Sequence, residues 1–498
     1  MPRPLLAAVF LLLTSAVCSA STPKNIVLIY ADDVGFGDLG CYGAATIPTP
    51  NIDRLAANGV RFTSAYASSA TCTPSRYSML TGEYAWREPG RGIAPPNGPA
   101  LIKPGTPTLA TMLREAGYTT ALVGKWHLGL GRPPKPKWSG KLAPGPLEAG
   151  FDEAFFLPTT NDRVPCVYVR DHHVVGLEPN DPLDVNRTNP DGQPTGESHP
   201  QMLKMMWSHG HNQSIVNGIS RIGFMSGGKA ALWTDETMAD RFASEARQFL
   251  KAHTETRTFL FYSAHQTHVP RAPAERFVGA TPHGARADAV VELDWCVGQL
   301  MDELKAAEQL DDTLIIFSSD NGPVLDDGYV DGAAEKLGSH RPSGPYRGGK
   351  YSRFEAGTRV PMLVSWPARV APSVSEAIVS QVDLCRSLAS LVGVSLKPDT
   401  APDSLDMLPA LLGKASAGRD WVVQHSGRRD QLAIRRGKWK FLPPTKGPAI
   451  NKNTGTELGN APAPQLFDLD ADPGETNNLA SQHEDICREL QSLLDSIR

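Results

Sequence analysis

Four short apolar runs, rich in aliphatic and β-branched residues, recur along the chain, and each is followed at once by polar side chains. The runs and the polar residues after them are 25–30 with Asp32 and Asp33, 119–123 with Lys125 and His127, 258–263 with His265 and His268, and 313–317 with Asp320 and Asn321. Such runs are typical of strands buried on both faces of a parallel sheet. Because ligands bind beyond the carboxyl ends of such strands, the pattern predicts that the four polar clusters converge on one site.

Helices are predicted between and after these runs. The predicted helices cover 106–118, 235–252, 288–308, 376–392 and 481–496. In the third of them, apolar residues at Val290, Leu293, Val297, Leu300 and Leu304 form one stripe, as expected for a helix with one buried face. The pattern as a whole predicts an α/β fold, in which a large, mostly parallel sheet is sandwiched by helices.

The first twenty residues have the pattern of a secretory signal. Arg3 gives a basic start, the apolar run Leu5–Leu13 follows, and small residues precede Ser21. This run is shorter than a permanent membrane-spanning helix requires. We therefore predict cleavage after Ala20 and export of the mature chain, secreted or periplasmic, without a transmembrane anchor.

The net charge of the 498-residue chain is −4. Nucleic acid is not an expected partner, because a phosphate backbone requires a concentrated basic surface. Any anion must therefore be bound by a local group of cations.

Asp32 and Asp33 are adjacent carboxylates after a buried strand, and they repel each other unless a cation holds them. In isolation such a pair is more often a helix cap or a turn. The second cluster, Asp320 and Asn321 after another strand, favours the cation. Three carboxylates and one amide offer only oxygen ligands, which suit Ca²⁺ or Mg²⁺ better than zinc.

Residues 72–82 read CTPSRYSMLTG and resemble the motif of type I sulfatases, the formylglycine-dependent family of the alkaline phosphatase superfamily. The fixed positions of that motif are all filled, by Cys72, Pro74, Ser75, Arg76, Leu80, Thr81 and Gly82. The alternative is a buried structural cysteine in a turn rich in proline and serine. Further motifs in the family's order, spread over nearly the whole mature chain, favour the resemblance.

The resemblance implies a particular chemistry at Cys72. In this family the cysteine is oxidised to formylglycine (3-oxoalanine), whose aldehyde hydrates to a geminal diol. One hydroxyl attacks sulfur and the other later expels sulfate, which a thiol cannot do. The resemblance also implies Ca²⁺, bound by Asp32, Asp33, Asp320 and Asn321 together with the modified Cys72.

Three further motifs carry over individual roles. The motif GKWHLG implies that Lys125 binds a sulfate oxygen. It also implies that His127 hydrogen-bonds the formylglycine hydrate and accepts its proton during sulfate release. AHQTHVP offers His268 as the general acid for the departing sugar oxygen. YRGGKYSRFEAGTRVP supplies Lys350 as a second sulfate-binding lysine, and Arg76 holds the hydrate and nearby carboxylates.

The segments after residue 400 resemble the small carboxy-terminal domain of the same family. WVVQHS, QLAIRRGKWKFL and QLFDLDADPGETNNLA match its strands and terminal segment. We therefore predict a leader over 1–20, an alkaline-phosphatase-like catalytic domain over 21–400, and a smaller α+β domain over 401–498.

Substrate specificity is expected to lie outside these motifs. The family's sulfate-contacting serine has no clear match, and Thr160 and Asn161 are the nearest candidates. The other candidate substrate-binding residues are Asp162, Arg163, His209, His211, Arg221, His340, Arg341 and His425. Polar groups of this kind suit a sulfated carbohydrate better than an apolar steroid ester.

The sequence thus predicts an exported sulfuric ester hydrolase that acts on a sulfated carbohydrate, after a formylglycine-generating or anaerobic sulfatase-maturing enzyme has converted Cys72. A phosphoester or phosphonate hydrolase of the same superfamily is an alternative that shares the metal and the cations. A non-catalytic protein that binds sulfated glycans would keep Cys72 as a thiol. A zinc-type relative would need Ser or Thr at position 72, and only His265 and His268 favour it.

Overall fold

The structure, a computed structural model, describes residues 22–190 and 192–498, so the predicted leader lies outside the described residues. The strands are β1 (Asn25–Ala31), β2 (Gly59–Phe62), β3 (Ala65–Tyr66), β4 (Tyr118–Lys125), β5 (Glu153–Leu157), β6 (Val169–Arg170), β7 (His173–Val174), β8 (Asp184–Asn186), β9 (Ile215–Val216), β10 (Ile219–Ser220), β11 (Phe224–Ser226), β12 (Arg257–Ser263), β13 (Thr313–Ser319), β14 (Met362–Ser365), β15 (Ser373–Ser375), β16 (Val379–Ser380), β17 (Trp421–His425), β18 (Leu432–Arg436), β19 (Trp439–Leu442) and β20 (Gln465–Asp468). The α-helices are α1 (Pro50–Ala57), α2 (Cys72–Thr81), α3 (Leu109–Glu115), α4 (Met238–Ala252), α5 (Ala285–Ala306), α6 (Glu355–Thr358), α7 (Leu384–Val392), α8 (Leu408–Leu411) and α9 (Glu484–Ile497).

The four predicted apolar runs are β1, β4, β12 and β13, at the centre of a large sheet. Its strand order is β15-β2-β14-β13-β1-β12-β4-β5-β6-β7. Neighbouring strands are parallel from β13 to β5, whereas β14 and β6 run antiparallel to their neighbours. Every residue of β1 and β13 is buried, as expected for strands covered on both faces. The polar clusters therefore leave the sheet side by side at its carboxyl edge.

Two groups of helices flank this sheet. Helix α5 contacts α1 and α4, and α2, α3 and α7 contact one another. These layers confirm the predicted α/β class with its mostly parallel sheet. In the part of the chain that the structure describes, no helix is both long and apolar enough to cross a membrane.

Four of the five predicted helices are present with shifted ends, as α3, α4, α5 and α9. The predicted helix 376–392 is wrong in its first half, because Val379–Ser380 form strand β16 and α7 begins only at Leu384. The N–H of Val379 donates to the carbonyl oxygen of Ser64 (3.1 Å), and β16 pairs with β3. This pairing satisfies the backbone groups that a longer helix would have used.

Strands β17 to β20 form a separate antiparallel sheet, against which α9 packs. A buried polar cluster joins it to β3 and α6, where the Glu355 carboxylate accepts hydrogen bonds from Tyr66 (2.6 Å), Gln424 (3.0 Å) and Lys440 (2.9 Å). A buried carboxylate with several donors fixes its surroundings. Because Glu355 follows Lys350 by five residues, the cluster also anchors the loop that carries this lysine. The domain boundary at residue 400 stays a prediction.

Candidate active site

Cys72 is the first residue of α2, and only 2% of its surface is exposed. Its Sγ lies 3.2 Å from Nδ1 of His127. Gly82 ends the helix in a left-handed conformation (φ +67°), which favours glycine because a side chain there would be strained. All ten residues of α2 are buried. The helix therefore holds Cys72 at a fixed position inside the protein.

His127 presents a lone pair to Cys72. Its Nε2 lies 3.2 Å from the carbonyl oxygen of Ala94, which can only accept, so Nε2 carries the proton and Nδ1 faces Sγ as an acceptor. Burial and the neighbouring Lys125 hold the pKa of His127 well below its usual value. The neutral imidazole can thus accept a proton from a group at position 72.

The four predicted metal ligands lie together beyond the ends of β1 and β13, and all of them are fully buried. Nδ2 of Asn321 donates to Oδ1 of Asp33 (2.7 Å). The N–H of Asp33 donates to Oδ1 of Asp320 (3.3 Å). We call Asp32, Asp33, Asp320 and Asn321 the oxygen cluster.

Two atoms of the oxygen cluster suit a cation. Oδ1 of Asp32 and Oδ1 of Asn321 are buried and accept no hydrogen bond from any described residue. Burial and the charge of Asp320 raise the pKa of Asp32 well above its usual value, a cost that a bound cation offsets. Ligand atoms of Asp32, Asp33 and His268 lie within 4.8 Å of one another. The residues therefore fit Ca²⁺ or Mg²⁺, with His268 as a neighbour that the sequence analysis did not place among the ligands.

Loss of the cation is expected to destabilise the protein. CaCl₂ should raise the Tm of chelator-treated protein, because an ion bound only by the folded state adds about 2.7 kcal/mol at a hundredfold excess over Kd. Asn321→Ala removes one candidate ligand oxygen and should reduce this shift, whereas Asp495→Ala, at a side chain 54% exposed, should leave it unchanged. An undiminished shift in Asn321→Ala would contradict this assignment. The same titration with MgCl₂ decides between the two ions.

Three buried cations border the oxygen cluster, each paired with one of its carboxylates. The pairs are Arg76 Nε with Asp320 Oδ2 (2.9 Å), Lys125 Nζ with Asp32 Oδ2 (2.5 Å) and Lys350 Nζ with Asp33 Oδ2 (2.8 Å). These ion pairs hold the three charged groups in place without solvent. The arrangement offers an anionic ester fixed hydrogen-bond donors next to Cys72.

Asp327 and Tyr351 are neighbours of Lys350 that the sequence analysis missed. Oδ2 of Asp327 accepts from Nζ of Lys350 (2.8 Å), and the Tyr351 hydroxyl donates to Oδ1 of Asp327 (3.0 Å). Burial alone would lower the pKa of Lys350, but Asp327 and Asp33 hold it well above its usual value. No motif marks Asp327 in the sequence, so only the tertiary contact identifies it.

His268 is a neutral histidine beside the oxygen cluster. Its Nδ1 donates to the carbonyl oxygen of Val269 (2.7 Å), which leaves Nε2 as an acceptor. Burial and the charges of Lys350 and Lys125 hold the pKa of His268 well below its usual value. Negative charge brought by an anionic ester would raise this pKa and favour the acid form.

Arg163 and Asn161, two of the predicted substrate-binding residues, lie beside the histidines of the site. Nη1 of Arg163 donates to the carbonyl oxygen of Ala94 (2.9 Å), the same oxygen that His127 contacts. Nδ2 of Asn161 lies 3.4 Å from the carbonyl oxygen of His268. Both side chains therefore adjoin the site.

Asp162 and His211 form a buried ion pair, with Nε2 of His211 2.9 Å from Oδ2 of Asp162. Thr160 donates to the other oxygen of Asp162. Burial would lower the pKa of His211, but the hydrogen bond to Asp162 raises it above its usual value. His209 is half-buried, and its Nδ1 lies 3.8 Å from the Asp326 carboxylate. This segment thus adds polar groups of both signs beside the site.

The other four predicted substrate-binding residues have different surroundings. Arg221 is fully buried and donates to Asp235 (2.7 Å), His340 contacts Asp38 (2.8 Å), Arg341 is exposed, and His425 is buried at the end of β17. Among the described residues, no hydrogen bond or ion pair joins these four side chains to Cys72 or to the oxygen cluster. Their role in substrate binding stays a prediction, and the contacts of Arg221 and His340 indicate a structural role.

The fold and the site together define a hydrolase of anionic esters. A model of the Sulfatase family matches residues 24–394, and the chain belongs to this family. The predicted family, its alkaline-phosphatase-like fold and the enzyme class are thereby confirmed. The protein is a sulfuric ester hydrolase.

Named relatives cover nearly the whole chain. An N-acetylgalactosamine-6-O-sulfatase of Bacteroides thetaiotaomicron is 50% identical over 479 residues, which are 96% of this chain and 94% of the relative. Arylsulfatase A of Homo sapiens is 32% identical over 495 residues, with coverage of 96% and 86%. A solved structure reported with the metabolism of multiple glycosaminoglycans by Bacteroides thetaiotaomicron superposes with a TM-score of 0.94 at 50% identity, and the match covers 96% of this chain and 99% of that one.

Proposed function

We propose that this sulfatase is exported and hydrolyses a sulfate monoester on a carbohydrate, using formylglycine made from Cys72 and releasing inorganic sulfate. The observation that carries the proposal is the position of Cys72. Its Sγ lies at the start of a buried helix, 3.2 Å from a neutral His127. Burial raises the pKa of the Cys72 thiol, and the charges of the nearby Lys125 and Lys350 oppose this rise. A structural cysteine has no need of this environment.

Formylglycine supplies, as its hydrate, one hydroxyl for attack on sulfur and a second for release of sulfate. The chain's own residues support this chemistry. Nδ1 of His127 accepts the proton of the hydroxyl, and Lys125 and Lys350 hold sulfate oxygens through charge-assisted hydrogen bonds. Nε2 of His268 gives a proton to the departing sugar oxygen. Arg76 donates a hydrogen bond to Asp320 and so fixes the position of α2 relative to the oxygen cluster.

The oxygen cluster would hold Ca²⁺, with Mg²⁺ as the other candidate. The ion would offset negative charge as the ester approaches the three carboxylates. Asp32, Asp33, Asp320 and Asn321 are the residues proposed to bind it.

A carbohydrate substrate is supported by two observations. The relative at 50% identity is an N-acetylgalactosamine-6-O-sulfatase. Beside the site, Arg163 uses Nη1 on the carbonyl oxygen of Ala94, and its other guanidinium N–H groups can donate to sugar hydroxyls. We infer a sulfated saccharide, with 6-O-sulfated N-acetylgalactosamine as the first to be tested.

Maturation requires a partner enzyme, either of the formylglycine-generating or of the anaerobic sulfatase-maturing type. Because every residue of α2 is buried in the folded protein, conversion of Cys72 is proposed to act on the chain before it folds. The leader over 1–20 would direct the chain to a secreted or periplasmic location.

Mass spectrometry of the tryptic peptide 62–76, after coexpression with a maturing enzyme, tests the proposal. We expect replacement of the Cys72 sulfur by an aldehyde oxygen. The matured protein should then release inorganic sulfate from a sulfated sugar in a panel that includes N-acetylgalactosamine 6-sulfate. Faster hydrolysis of matched phosphate or phosphonate esters would favour the related hydrolases instead. An intact thiol together with binding but no turnover would favour a glycan-binding protein.

A further inference from the structure

A cleft of about 590 Å³ begins next to the active site. One wall starts at Pro95, directly after Ala94, whose carbonyl oxygen contacts His127 (3.2 Å) and Arg163 (2.9 Å). The lining also includes Ile222, whose N–H donates to the carbonyl oxygen of Asp162 (2.8 Å). Both parts of the lining are thus continuous with the residues beside Cys72. The volume lies within the range of about 300–1,000 Å³ that small-molecule sites occupy.

The walls combine apolar surface with positive charge. Pro95, Pro96 and Ile222 offer surface on which the C–H face of a sugar ring can pack. Lys135 and Arg187 line the same cleft, whereas no carboxylate does among the described residues that form it. In a protein of net charge −4, this local excess of cations favours an anionic occupant.

The polar groups of the cleft are available to a ligand. Arg187 is exposed and has neither a hydrogen-bond nor an ion-pair partner within the described ranges. Nζ of Lys135 donates to the exposed Asp184 (2.9 Å), a contact that solvent weakens. Oε1 of Gln213 accepts from the N–H of Gly223, which leaves its amide nitrogen to donate. The cleft can therefore bind a carboxylate or sulfate together with hydroxyl groups.

We propose that this cleft binds an acidic sugar residue that is glycosidically linked to the sugar whose sulfate ester is hydrolysed. The carboxylate or sulfate of that residue pairs with Arg187 and Lys135, and its ring packs on Pro95 and Pro96. The inference rests on the carbohydrate substrate of the proposed function. It adds that the substrate is an acidic oligosaccharide and not an isolated monosaccharide.

The matured enzyme tests this inference on four substrates. These are the sulfated monosaccharide and the same sugar linked to a neutral, a carboxylated or a sulfated neighbour. Wild type should favour the two acidic oligosaccharides in kcat/KM, and the preference should shrink at high ionic strength. Arg187→Ala should lower kcat/KM on them by about three- to fivefold, the upper part of the range of an exposed ion pair, with a smaller effect on the neutral one. The carboxylated and sulfated arms identify which acid is preferred.

Arg488→Ala is the matched control, because this arginine lies on α9 with 73% of its side chain exposed. It should leave all four values unchanged. An active enzyme without preference for acidic neighbours, or an equal loss on all four substrates in Arg187→Ala, would overturn the inference and leave the proposed function intact. If matured wild type hydrolyses no sulfated sugar, the proposed function fails and the inference fails with it.

Discussion

Cys72→Ala is expected to abolish sulfate ester hydrolysis, with kcat/KM falling by more than about a thousandfold. Alanine cannot be converted to formylglycine, so the site would lack its nucleophile while Lys125, Lys350 and His127 remain. The fold should survive, because the change removes one sulfur atom from a helix that is buried along its whole length. Inorganic sulfate release and Tm, measured on the same preparation, check both parts of the prediction.

Cys487→Ala provides the matched control for this loss. Cys487 is also a buried, free cysteine, but it lies on α9, where its Sγ is 3.8 Å from the carbonyl oxygen of Ala480. The Cys487→Ala variant should retain activity after coexpression with the maturing enzyme. Turnover that persists in Cys72→Ala would contradict the formylglycine mechanism, whereas equal losses in both variants with a lowered Tm would indicate a damaged fold.

The meeting of distant residues at one site was predictable from the sequence. Asp32, Lys125 and Asp320 each follow an apolar run, and such runs become central parallel strands because their side chains are buried on both faces. Parallel neighbours place their carboxyl ends at one edge of the sheet. A pattern along the chain thus specified a position in space.

Helix α2 was not predictable by the same reasoning. A helix is recognised from sequence when one face is apolar and the other meets water. All ten residues of α2 are buried, including the charged Arg76. Its charge is balanced by an ion pair with Asp320, the residue that follows β13. Without a solvent-facing side there is no periodic signal, and only the motif around Cys72 marked the segment.

Polar residues in loops could not be sorted into catalytic and structural ones. Substrate binding by Arg221 and His340 stays a prediction, and the structure shows that they contact buried carboxylates, those of Asp235 and Asp38 respectively. Asp327, whose carboxylate accepts a hydrogen bond from Lys350, was not predicted because no motif marks it in the sequence. In each case the partner lies elsewhere in the chain, so the sequence alone contains no spacing that would identify it.

His268→Ala is expected to slow hydrolysis of a sulfated sugar by about 10²- to 10⁴-fold, the usual contribution of a general acid. An aryl sulfate with a nitrophenol leaving group needs no proton and should be slowed far less. Burial, Lys350 and Lys125 hold the pKa of His268 below its usual 6.5. The protonated fraction therefore falls as pH rises above that lowered pKa, so wild-type kcat/KM for the sugar should fall from acidic toward neutral pH. The pH profile of His268→Ala should lack this fall in kcat/KM.

His253→Ala separates this effect from the loss of any histidine, because His253 contacts Glu153 (2.8 Å) at the surface with 24% of its side chain exposed. It should keep both activities and the pH profile of wild type. Equal slowing of sugar and aryl sulfates by His268→Ala would argue against proton donation. That result would instead assign His268 to binding of the sulfate or of the metal, consistent with its closeness to Asp32 and Asp33. The ratio of sugar to aryl sulfate hydrolysis therefore decides between two roles of His268. A general acid gives its proton to the leaving oxygen, whereas a metal ligand binds the ion through its lone pair.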